Sequence, residues 1–229
     1  MKKLFKLALA SALFGAAAVQ AAPRAFAQDD RTPSAGESDD VKPNAVRADG
    51  SVQPATGRNA DEFSPSIIDA WPEKPRATAK LLIDKYGAPD EATSKTLVWR
   101  NNGPWKRTVL SSEEVDHQFP AKHTDFLAQT VNYKVPAGKA GDLIKFDGSL
   151  IVDRTRGELT SRCDKEENNR LALNLADEIV RGKRSADDAR KFLAKSVETS
   201  ASGKSSPYVE DLRFTPQSAD VTADPDSAK

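Results

Sequence analysis

What the sequence has little of limits it first. It contains a single cysteine, Cys163, so no internal disulfide can staple the chain and the fold must rest on its core. It has no charge of one sign to spare: 34 basic and 34 acidic residues give a net charge of +0. Nucleic-acid binding needs a basic surplus, so nucleic acid is excluded as a partner. Only two histidines are present, His117 and His123. There is no glycine-rich nucleotide loop, no G-x-S-x-G elbow, no H-E-x-x-H pair and no c-type haem motif. Beyond the N-terminus no apolar run approaches the length of a membrane helix, and no internal repeat is visible.

What is present begins with an export pattern. Lys2, Lys3 and Lys6 precede an apolar run from Leu7 to Val19, and V-Q-A ending at Ala21 or A-F-A ending at Ala27 offers a cleavage site. This is the tripartite signal, too short to span a bilayer comfortably. Residues 1–27 are therefore expected to be a signal peptide, with the mature chain in a bacterial periplasm or secreted. No cysteine lies near either cleavage site, which excludes a lipid-modified N-terminus. Residues 28–63 and 199–229 hold many acids, prolines and serines and few large apolar residues. Such segments bury too little surface to offset chain entropy, so they are expected to be a disordered linker and a disordered tail. Residues 64–198 remain as one folded domain.

Within that domain, Ala79, Leu82, Ile83 and Tyr86 fall on one helical face, with Gly87 and Pro89 as stops. T-L-V-W-R at 96–100 and the stretch 105–110 read as strands around an Asn102-Gly103 turn, bringing Trp99 near Trp105. Two tryptophans there read as core; a stacking platform for a sugar or peptide is the alternative. Residues 129–135 alternate as a half-buried strand, 138–146 form a weak helix or turn, and 149–153 and 158–162 pair about a T-R-G turn. Asp164 to Glu167 fits a capping box that opens a helix with Leu171, Leu175 and Ile179 on one line. Ser185 to Asp188 fits another, ahead of Ala189, Phe192, Leu193 and Val197. The order predicts an α+β fold: a single domain with an antiparallel sheet of about five strands, packed by helices on one face.

The phrases "LVWRNNGPWKRT", "HTDFLAQTVNYKVP" and "FDGSLIVDRTRGELTSRCDKEENNRLALNLADEIVRG" together resemble a group of exported bacterial proteins with no assigned function. The resemblance spans about residues 72–197. It implies export and a single domain, and it implies no activity and no catalytic residue. "LLIDKYGAPDEAT…LVW" is similar to the way small outer-membrane-assembly lipoproteins of the two-helix, three-stranded type begin. Here the lipid-bearing cysteine is absent and the C-terminal half differs, so the likeness is one of architecture.

Three groups could carry chemistry. Cys163 precedes a predicted helix start, where a thiol pKa can fall, and with His117 and His123 it would make a Cys–His hydrolase. Its neighbours Asp164, Glu166 and Glu167 oppose that by charge, and a lone thiol at a strand end is commonly packing. His117 and His123, with Glu113, Asp116 and Asp125 nearby, suggest zinc, but their spacing is not a helical ligand spacing and Pro120 lies between them. No metal and no cofactor is assigned from the sequence. Arg154, Arg156 and Arg162, joined by Arg100, Lys106 and Arg107, could hold a carboxylate or phosphate of an anionic envelope component; the plain reading is a solvated sheet face. The favoured expectation is a non-enzymatic binding or assembly module whose partner is such a component or another envelope protein. The alternative is a metal-dependent or Cys–His hydrolase.

Overall fold

A computed structural model describes residues 64–218; the export pattern and the linker lie outside the described residues. The fold is α+β. A 3-10 turn, Pro65–Ile68, leads to helix α1, Glu73–Tyr86. The strands are β1 (Glu91–Ala92), β2 (Thr96–Asn102), β3 (Trp105–His117), β4 (His123–Asn132), β5 (Leu150–Asp153) and β6 (Glu158–Cys163). Helix α2, Ala137–Phe146, follows β4; α3 (Glu166–Val180), α4 (Ala186–Ala201) and the short α5 (Pro207–Glu210) follow β6. All six strands pair antiparallel in the order β1-β2-β3-β4-β6-β5. The sixth strand, beyond the five expected, is the two-residue β1 at one edge.

Register explains why one face is covered. Leu97, Leu110, Leu127 and Cys163 are successive cross-strand neighbours, as are Trp99, Thr108, Gln129, Ser161 and Leu150. Side chains alternate across a strand, so these rows share a face, and α1 and α3 pack over it. The other face carries Arg100, Arg107, Thr130, Thr160 and Ile151 in register, and Arg100 and Ile151 are exposed. The core falls into two clusters. One surrounds α3, with Leu171, Leu175, Phe146, Leu143 and Trp105; the other lies under α1, with Trp71, Leu82, Leu97 and Trp99. Trp99 and Trp105 thus pack in different clusters and do not meet across the hairpin. Both are almost fully buried, which removes the stacking-platform alternative.

Local details follow from residue chemistry. Helix α1 begins at Glu73, upstream of the expected apolar face that starts at Ala79, because Pro75 lies in its first turn, where a missing N–H costs nothing. Gly103 has φ +63, and a Cβ there would meet Tyr86 Cε1 at 3.3 Å. Glycine is needed at this turn both for conformation and for the approach of α1. The box at Ser185 forms its cap: Ser185 Oγ accepts from the Asp188 N–H at 3.1 Å. The box at Asp164 does not form. Lys165 occupies the N-cap position with no side-chain cap, and Asp164 instead accepts from Asn168 Nδ2 at 2.8 Å.

The C-terminal boundary also differs from the one expected at residue 198. Helix α4 runs to Ala201, and Val209 and Phe214 are buried in the α3 cluster. The segment is strapped down by polar bonds. Asn174 Nδ2 donates to the carbonyls of Tyr208 and Asp211, and the Gln217 N–H donates to Asn132 O at 2.9 Å. Residues 199–218 are therefore part of the domain, a correction to the tail expected there. The buried apolar residues are too sparse in this stretch to show as a pattern in sequence.

Candidate functional site

The two histidines meet because of the sheet. His117 ends β3, His123 starts β4, and they are direct register partners across the hairpin end. The five-residue connection between them contains a cis Phe119–Pro120 bond. Their spacing, unsuited to a helix, is thus the spacing of a hairpin mouth, and the rings lie 4.8 Å apart. Asp125, two residues along β4, shares a face with His123 and is buried. Asp147, which caps the end of α2, and Ser149, just before β5, come in from the far side.

The polar geometry is dense. His123 Nε2 lies 3.2 Å from Asp125 Oδ1, and His117 Nδ1 lies 3.4 Å from Asp125 Oδ2. The Ser149 hydroxyl donates to Asp125 Oδ2 and lies 3.3 Å from His117 Nδ1. His117 Nε2 is 3.9 Å from Asp147 Oδ1, which accepts the Ser149 N–H at 2.9 Å. Burial pushes the Asp147 carboxyl above its ordinary range; the Ser149 N–H and His117 pull the other way. Donor atoms of His117, His123 and Asp125 all fall within 4.8 Å of one another.

A cavity of about 180 Å³ opens beside this cluster, lined by His117, His123, Asp147, Arg162, Cys163 and Asn168 among others. Cys163 therefore does share a chamber with both histidines. Its thiol, however, is pushed up, first by burial and then by the adjacent Asp164 carboxylate. Of the acidic neighbours noted in the sequence, Asp164 acts in the direction expected of it.

The arginines do not gather. Arg154 and Arg156 sit at the β5–β6 turn; Arg156 is exposed beside Asp153, and Arg154 is engaged as well. Arg162 lies four residues beyond Glu158, about 13 Å along the strand. Arg100 pairs with Glu91 at 2.6 Å, while Lys106 and Arg107 both clamp Glu158 at 2.9 Å. Of the three arginines proposed from sequence, only Arg162 reaches the cavity, and its buried Nε has no hydrogen-bond partner among the described residues.

Asp147 and Ser149 carry no sequence signal for this role. Asp125 was visible only as an acid near a histidine. Compared with known proteins, the chain matches no family model, no curated protein and no solved structure. Among the described residues, no helix is long and apolar enough to cross a membrane.

Proposed function

We propose that this chain is an exported, non-enzymatic binding module of the bacterial cell envelope, and that it holds a small ligand in the cavity beneath the β3–β4 turn. The N-terminal export pattern and the resemblance to exported bacterial proteins support the location. The observation that carries the binding reading is the buried Arg162 Nε at that cavity, which has no hydrogen-bond partner among the described residues, beside the close approach of His123 Nε2 to Asp125 Oδ1. Buried polar atoms are normally satisfied, so an unpaired guanidinium nitrogen at a chamber supports a ligand there. The raised Cys163 thiol speaks against the hydrolase alternative, which needs a thiolate. The scatter of Arg154 and Arg156 speaks for the cavity over the sheet face as the place of binding.

Native mass spectrometry of the mature protein, purified from its own compartment without chelator, tests this. A retained small ligand is expected, and it should persist in Cys163→Ser. A clean apo chain would overturn the binding reading. Hydrolysis of simple esters by the wild type, abolished in Cys163→Ser, would overturn the non-enzymatic one.

A further inference from the structure

We propose that His117, His123 and Asp125 bind one divalent transition-metal ion of the zinc class, an inference that rests on the binding-module reading above. The Ala121 carbonyl can only accept, and it lies 2.8 Å from His123 Nδ1, so Nδ1 carries the ring proton. With the ring carrying that one proton alone, Nε2 presents a bare lone pair. It faces Asp125 Oδ1 at 3.2 Å, and neither buried atom has a hydrogen-bond partner among the described residues. Two acceptors held that close repel unless a cation lies between them. The separation also suits an ion: ligand atoms of a tetrahedral zinc site, with bonds of about 2.0–2.1 Å, stand about 3.3 Å apart. The His117 ring brings a third donor.

The surroundings are those of a built site. Asp125 is only 5% exposed, and its other oxygen is fixed by the Ser149 hydroxyl. That hydroxyl also touches His117 Nδ1, so one residue positions two ligands. Two imidazoles and one carboxylate favour zinc and its neighbours over magnesium or calcium, which prefer all-oxygen sets. Three protein ligands leave a fourth position for water or a small anion. A proton on Nε2 would relieve the same repulsion, so the experiment must separate metal from imidazolium.

The mature chain, stripped with chelator, is titrated with Zn(II) alone by calorimetry, with Mg(II) as comparator. Expected is one equivalent of zinc at micromolar affinity or tighter and no magnesium uptake. His123→Gln and Asp125→Asn should each weaken zinc at least about tenfold, and Ser149→Ala about tenfold at unchanged stoichiometry. Zinc should raise the melting temperature of the wild type and not that of His123→Gln. If Asp125→Asn fails to fold, His123→Gln at the half-buried hairpin mouth carries the comparison. The Co(II) form should show a tetrahedral nitrogen–oxygen spectrum; a thiolate charge-transfer band would place Cys163 in the site and overturn the ligand set. No stoichiometric uptake by the wild type, or uptake unchanged in His123→Gln, would leave the imidazolium and sink the metal. A different retained ligand on the native chain would then still support the binding module. Zinc uptake accompanied by ester turnover would do the reverse.

Discussion

Gln129 Nε2 donates to Glu166 Oε2 at 2.9 Å, tying the central strand β4 to the first turn of α3. Glu166 also accepts from Lys85 Nζ at 2.5 Å, from Tyr86 Oη, from Trp105 Nε1 and from Arg170 Nη2. One buried carboxylate thus joins α1, β3, β4 and α3. Glu166→Gln turns one acceptor oxygen into a donor that faces donors, and it leaves Arg170 buried without its charge partner. We expect a loss of about 3–5 kcal/mol in denaturant unfolding. Glu167→Gln, on the exposed side of the same turn, should change stability little. Equal effects in the two variants would remove the special role of Glu166.

The same carboxylate sets a pH dependence. Burial alone would raise Glu166, but Lys85, Arg170 and Gln129 outweigh it and hold the carboxyl below its ordinary value. At Glu158 the bonds from Lys106 and Arg107 likewise outweigh burial. A carboxyl lowered on folding stabilises above its unfolded pKa, near about 4.3, and loses that contribution as pH falls through the lower folded value. Urea midpoints should therefore be steady above about pH 5 and fall steeply below about pH 4. The fall should be shallower in Glu166→Gln; an unchanged slope would show that this group does not drive it.

Caps distinguish the two helix starts. Ser185→Ala removes a bond to a backbone N–H and should cost about 1 kcal/mol. Asp164→Ala removes a bond to the Asn168 side chain and no backbone cap, so it should cost less. Melting curves of the two variants, side by side, give the order; the reverse order would restore Asp164 as the cap.

Phe214 tests the C-terminal boundary. It is 8% exposed and packs edge-on against Tyr133, with ring centroids 5.2 Å apart. Phe214→Ala should cost about 3–5 kcal/mol. A neutral result would return residues 199–218 to the status of a tail.

How legible was all this in the sequence? The helices were read from their period: Leu171, Leu175 and Ile179, and Ala189 and Leu193, all face the core as expected. The hairpin mouth was missed because E-V-D-H-Q-F-P-A-K-H has no alternation of apolar and polar residues. Its strand ends are held by cross-strand pairing, which a single strand does not announce. The spacing of His117 and His123 was measured against a helix when it belonged to a turn. Glu166 was read only as one of the acids at the start of α3. An acid after Asp164 satisfies a capping pattern whether it faces its own helix or the core, and only tertiary contacts decide. Asp147 and Ser149 reach the histidines across 24 or more positions of chain, beyond any local signal.

The C-terminal strap has a bearing on when this chain can finish folding. Phe214 fills the core beside Tyr133, and Gln217 closes onto the end of β4. A chain made N-terminus first cannot seal that core until Phe214 and Gln217 have emerged. Up to that moment the sheet has its strands but lacks its closing piece.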